Sequence, residues 1–380
     1  MPFSRSWWDW WMFDAYSATP EGLGLYRISY ALFVLLFFLP GHAEFASFSF
    51  VSSLPDLFFL PPPGPMQLAP GFPSLVFFEV LHLLLIVSLT AVLLGWYTRT
   101  ASVATTLLFL VGYGFSYSVG KINHNMLFIL LPAGMALSNW GAAYSFDARA
   151  SRASRRVSAW PIALVVLATG FAMFTAGLPK IFGGWLDPTT QATQGRLIRQ
   201  FFVHGRQDLL APLAVALDTP TLWELADVAT VVFEVGFLAA ILHPFTTRLF
   251  AAGAILFHTG VLLVLNISFS FNFIVYAAVM PWPQIAAKGQ WLSSLAPRLR
   301  LPAWGRGGLV LTVAGLFYTA GSPVLWLNDL GAFASGLTVT DLIVFGLAWI
   351  GLLTSALVCW GQDADPSPPV RTGPVRNEPL

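Results

Sequence analysis

The chain has 380 residues, of which 56% are hydrophobic and only 10% charged, with a formal net charge of +1. A water-soluble surface cannot be built from that remainder, so the composition excludes an ordinary soluble globular protein. A charge so close to zero also removes the electrostatic footprint of a nucleic-acid binder, and a lone cysteine, Cys359, excludes an internal disulfide.

The composition predicts an all-α, polytopic integral membrane helical bundle with about nine or ten transmembrane helices and no separate soluble domain. The first eighteen residues carry Trp7, Trp8, Trp10 and Trp11 beside Asp9 and Asp14. That pattern reads as an amphipathic segment flat at the membrane interface, not as a cleavable signal peptide. Apolar runs follow at 23–39, 74–94, 101–119, 123–137, 160–178, 222–242, 247–265, 268–281, 309–326 and 338–359. Of these, the fourth and eighth are short enough to be broken or re-entrant. Residues 19–285 form one transmembrane domain, residues 286–360 a basic connection with two further spans, and residues 361–380 a polar, proline-rich tail expected to be disordered.

Basic residues alternate between loops. Arg5, Arg99, Arg149, Arg152, Arg155, Arg156, Arg248, Lys288, Arg298, Arg300, Arg306, Arg371 and Arg376 share one face, which the positive-inside rule makes cytoplasmic, with both termini on it. The opposite, outward face carries Lys121, Lys180, Arg196, Arg199 and Arg206. It also carries two long connections. One holds Pro61-Pro62-Pro63-Gly64-Pro65, too proline-rich for continuous helix; the other is 181–221, and loops of that length are usually functional. Together they could roof a cavity.

Few residues in such a chain can carry chemistry. Lys180 ends the run Thr175-Ala176-Gly177-Leu178-Pro179-Lys180, where small residues allow close helix approach and a desolvated amine could serve as a general base. A lysine near a span end also snorkels to headgroups without chemical purpose. Asn123, His124 and Asn125 open the fourth span, where the asparagines can cap a helix and the dipole favours a neutral imidazole. Glu79 and His82, Glu224 and Asp227, Glu234, and His258 are intramembrane ionisable residues expected to face the bundle interior, as pairing partners or as polar glue. The phenylalanine-rich segment from Phe257-His258 through Phe273 suits a flat ring or isoprenoid tail, or simple packing. His82, His124 and His258 carry no metal-binding spacing, and no metal is expected.

Taken in order, these segments resemble the vitamin K-dependent gamma-glutamyl carboxylase family and its bacterial relatives with the horizontally transferred transmembrane domain. The resemblance rests on Thr19-Pro20-Glu21-Gly22-Leu23-Gly24-Leu25-Tyr26-Arg27, Asn123-His124 with Asn139, Ser145-Phe146-Asp147-Ala148, Ala176-Gly177-Leu178-Pro179-Lys180 with Trp185, Phe233-Glu234-Val235-Gly236-Phe237, and Phe257-His258. It implies a membrane enzyme that uses a reduced isoprenoid quinone (reduced vitamin K, menaquinol or similar) and oxygen to generate a strong base in an outward-facing cavity. Carbon dioxide would then add to a glutamate side chain of an exported protein or peptide. It assigns Lys180 as the catalytic base and His124 as its assistant. Asn123, Phe257, His258 and Trp185 would contact the quinone, with Glu79, His82, Glu234 and Asn139 as acids and partners around the pocket. The expected setting is the lipid bilayer of a bacterial plasma membrane. Two departures stand out: Pro179 precedes Lys180 where the animal enzymes have paired lysines, and the family's lumenal recognition domain has no counterpart. A non-catalytic quinone-binding, lipid-binding or assembly protein that kept the fold is the alternative expectation.

Overall fold

The computed structural model describes residues 6–39, 50–119, 125–150, 156–289, 301–320, 333 and 335–360, all helix, turn or irregular connection without strands. Helix α1 (Trp7–Phe13) starts at a capping box between Ser6 and Asp9. It is anchored by its one buried indole, since Trp11 Nε1 donates to the Ile241 carbonyl at 2.7 Å. Trp7, Trp8, Trp10 and Phe13 stay exposed, as an interfacial helix requires.

The long helices follow: α2 (Pro20–Phe33), which continues as a π turn at Val34–Phe38, α3 (Leu75–Leu94) and α4 (Thr98–Tyr117). After the shorter α5 (Met126–Ala136) and α6 (Phe146–Ala150) comes α7 (Trp160–Phe182). Two short helices, α8 (Ala192–Ile198) and α9 (Ala211–Val215), lead into α10 (Pro220–Ala240) and α11 (Pro244–Leu265). The chain ends with α12 (Asn272–Tyr276), α13 (Trp282–Lys288), α14 (Ala303–Ala320) and α15 (Val339–Trp360).

Six segments among the described residues are long and apolar enough to cross a membrane: Pro20–Phe38, α3, α4, α7, α11 and Val339–Val358 within α15. This is fewer than the nine or ten expected. Helices α10 and α14 have comparable length, but α10 carries Glu224, Asp227 and Glu234. The expected fourth span shrinks to eleven described residues in α5, about 17 Å of helix against a hydrocarbon core of roughly 30 Å. The expected eighth breaks into α12 and a 3-10 turn at Ala277–Val279. Its shortness allowed for a broken segment, and residues 268–271 indeed form no helix.

Buried Arg27 and half-buried Asp147 lock the bundle at the end opposite Lys180. Arg27 is fully buried and donates to the Val92 carbonyl, to Leu93 O at 2.8 Å, Trp140 O at 3.2 Å and Tyr144 O at 2.6 Å. It thereby adds a side-chain donor to the Val92 carbonyl, which already accepts from Gly95 N–H, and takes up the Leu93 carbonyl in the last turn of α3. Asp147 accepts from Tyr97 N, Thr98 N and Thr98 Oγ1 at 3.0, 2.7 and 2.7 Å, capping α4. The two long connections cover separate helix ends. The proline-rich one carries only 3-10 turns at Asp56–Phe58 and Pro65–Leu68, and it packs on α3 and α4 through a cluster of Val51, Phe78, Leu81 and Phe115. The other packs Leu197, Ala211 and Ala214 around Trp223 of α10.

Candidate functional site

Helices α7 and α10 make the most extensive helix pair in the molecule, and Gly177 explains why they lie so close. A Cβ at that position would stand 2.8 Å from Glu234 Cβ and 3.1 Å from Val235 N, so only hydrogen allows the approach. One turn further along α7, Lys180 Nζ donates to both carboxylate oxygens of Glu234. Both side chains are largely withdrawn from solvent, 22% exposed for Lys180 and 7% for Glu234. The helix then stops at Gly183, and Gly184, with φ at +80°, turns the chain back. Glycine adopts this left-handed conformation freely. The reversal lets Trp185 N–H reach the Lys180 carbonyl at 3.2 Å and sets its ring centroid 4.9 Å from Nζ, within cation–π reach.

Next to this pair stands a second polar couple. His258 of α11 is buried, and its Nε2 meets the Tyr276 hydroxyl at 2.9 Å. The two rings are parallel within 4°, and Phe269 stacks on the imidazole 4.7 Å away. Asn272 also hydrogen-bonds Tyr276, which lies within electrostatic reach of Glu234. Phe257 contacts Phe233 of α10 with ring centroids 5.4 Å apart. Lys180, Glu234, Trp185, Phe257 and His258 therefore belong to one neighbourhood, built by α7, α10, α11 and α12.

Other nominated residues lie elsewhere. Asn139 is exposed, takes a φ of +61° and donates to the Arg156 carbonyl at 2.9 Å. Arg156 precedes the start of α7 and Lys180 is near its end, so about 30 Å of helix separates Asn139 from the pair. Glu79 is exposed on α3. His82, on the same helix, has its ring 6.3 Å from that of Tyr318 on α14. Both face a different part of the bundle because α3 packs against α2, α4 and α14. Asp227, fully buried, is occupied in holding the first turn of α8, accepting from Ala192 N and Thr193 N at 2.7 Å each. Glu224 is half-buried, and its Oε2 meets no donor among the described residues. Asn123 and His124 lie outside the described residues. Their neighbour Asn125 occupies the N-cap position of α5, but its side chain accepts from the Tyr117 hydroxyl instead of capping the helix.

Sequence reasoning missed Tyr276 and Asn272. Their four-residue spacing places them on one helical face, but a phenol among phenylalanines carries no charge signal. As placed, Nζ is a hydrogen-bond donor, so Lys180 accepts a proton only when Glu234 takes one or the pair opens. Glu234 is thus part of any acid–base function of Lys180. Compared with family models, with curated proteins and with solved structures, the chain matches none of them.

Proposed function

We propose that this chain is a membrane enzyme resembling the vitamin K-dependent carboxylases, in which the Lys180–Glu234 pair takes a proton from a reduced isoprenoid quinone. The observation that carries this reading is a lysine in the last turn of a candidate span joined to a carboxylate of α10, both largely withdrawn from solvent, with an indole over the ammonium and a histidine–tyrosine couple alongside. Intramembrane ionisable residues are costly and usually functional. The residues present fit a quinol: Lys180 has three N–H donors, the Tyr276 hydroxyl can meet a ring oxygen, and Phe257 and Phe269 offer apolar faces.

The bound quinol would supply the reducing equivalents for reaction with oxygen. Lys180 would bind and orient a ring oxygen, Glu234 would accept the proton that passes through Nζ, and Trp185 would limit the approach of water. His258, fixed by Tyr276, would hold the opposite polar edge. Carbon dioxide and the glutamate side chain of an exported protein are the co-substrates that the resemblance implies. Arg149, Arg156, Arg248, Lys288 and Arg306 put the cytoplasm on their side by the positive-inside rule, which turns Lys180 outward in a bacterial plasma membrane with both termini inside.

Protein reconstituted with reduced menaquinone should show quinol-dependent oxygen uptake and quinone epoxide by chromatography. Lys180→Ala should abolish both while the protein remains folded. Lys180→Arg should do the same, because a guanidinium keeps its proton. Full activity in either variant refutes the assignment.

A further inference from the structure

Two cavities meet along α2, α11 and α15. The larger, about 900 Å³, is an apolar groove whose walls include Leu36, Ile255 and Leu352. It opens sideways, since Phe245, Leu249 and Leu347 on its margin are 68%, 57% and 46% exposed. In a membrane, that opening faces lipid chains. The smaller, about 220 Å³, sits where α11 ends and α15 begins, and Arg206, Asn266, Ser268, Ser270, Thr338 and Asp341 line it together with Phe38, Phe271 and Leu337. Phe33, Phe37 and Val344 line both, so the chamber and the apolar groove adjoin across these three side chains. Lys180 and Glu234 line neither.

The chamber holds two opposite charges. Arg206 donates through Nη1 to the Asn266 carbonyl at 2.6 Å. Among the described residues its other N–H groups meet no acceptor, which leaves a guanidinium fork available to a phosphate. Asp341 accepts from Ser268 Oγ at 2.6 Å, Thr338 N at 2.9 Å and Thr338 Oγ1 at 2.8 Å, leaving capacity for one further donor among a carboxylate's roughly four lone-pair sites. A purely anionic head would meet the carboxylate, and a purely cationic one the guanidinium. A head with both signs satisfies each.

We propose that these adjoining cavities together bind one zwitterionic glycerophospholipid of the phosphatidylethanolamine type, its phosphate on Arg206, its primary ammonium on Asp341 and its acyl chains passing Phe33, Phe37 and Val344 into the groove. Tyr276 lines the groove as well as standing near Glu234, but the headgroup contacts lie on Arg206 and Asp341, so the lipid assignment and the Lys180 reading are tested by different variants.

Native mass spectrometry of the full chain, reconstituted in equal parts phosphatidylethanolamine, phosphatidylcholine and phosphatidylglycerol with added menaquinone, tests it. Wild-type protein should retain phosphatidylethanolamine preferentially. Arg206→Gln should lower that retention about tenfold, with Arg206→Lys restoring part of it. Asp341→Asn should erase the preference over phosphatidylcholine, whose quaternary ammonium has no N–H to donate. Gly351→Leu fills the groove from its wall, where an added Cβ finds ordinary contact with Met280 Cε at 3.6 Å, and it should expel the lipid. Preferential retention of phosphatidylglycerol or of the quinone overturns the proposal, as does undiminished phosphatidylethanolamine retention in both Arg206→Gln and Gly351→Leu.

Discussion

Lys180 is meaningful only together with Glu234. Removing one partner strands a charge out of water, whereas removing both leaves an apolar gap, so the single variant suffers more than the double. Lys180→Ala should lose about 2–4 kcal/mol, and adding Glu234→Ala should return part of that loss, as read by thermal unfolding in detergent. Equal losses in single and double variants would show that the pair contributes no coupling. A second residue-scale test concerns the turn after Trp185. Asp187 is fully exposed, and hydrogen bonds from the Thr189 hydroxyl and N–H, at 2.7 and 2.9 Å, hold its carboxyl below the usual carboxylate range. A depressed folded value means that the turn is stabilised above the ordinary carboxylate pKa and loses that support as pH falls through the lowered one. Amide exchange at Thr189 should therefore show less protection at acid pH than expected from the intrinsic rate, and Asp187→Asn should flatten the effect. Lys180 was legible in the sequence because a charge in an apolar run is conspicuous. Its partner was not, because Glu79, Glu224, Asp227 and Glu234 were all conspicuous for the same reason.

Among the elements, polar residues that looked chemical often close helix ends instead. Asp227 reaches residues 34 and 35 positions away, and Asp147 reaches residues 49 and 50 away. No local pattern announces such remote caps, whereas the Ser6–Asp9 box, three residues apart, is a local one. Asp227→Ala should cost about 1–2 kcal/mol by uncapping α8 and should loosen the 191–198 segment, measurable as faster proteolysis there. Gly177→Ala should push α7 from α10 at a cost of about 1–3 kcal/mol and weaken the ion pair that their contact sets. Most long runs were legible from hydropathy alone, because length and apolarity are summed over many residues. The run from Ser268 was legible as short enough to break, and it does break, at serines whose side chains compete with the backbone for hydrogen bonds.

At the scale of the whole molecule, the nominated residues that the structure describes divide among three regions. Lys180, Trp185, Glu234, Phe257 and His258 meet around α7, α10 and α11, while Glu79 and His82 belong to α3 and Asn139 to the far end of α7. Sequence order cannot show this, because helices adjacent in the chain need not share a cavity. Orientation is open to direct test: in a Cys359→Ser background and right-side-out vesicles, a membrane-impermeant maleimide should label Asp187→Cys from outside and Arg149→Cys only after permeabilisation. The reverse pattern would turn the Lys180 site to the cytoplasm. The central claim is that Glu234 takes up the proton that Lys180 relays from a quinol. Infrared difference spectroscopy on reconstituted protein, recorded as reduced menaquinone is added under anaerobic conditions, reads that proton directly. A carboxylate band should give way to a protonated carboxyl band in wild type and be missing in Glu234→Gln. Quinol binding with no change at Glu234 would contradict the account.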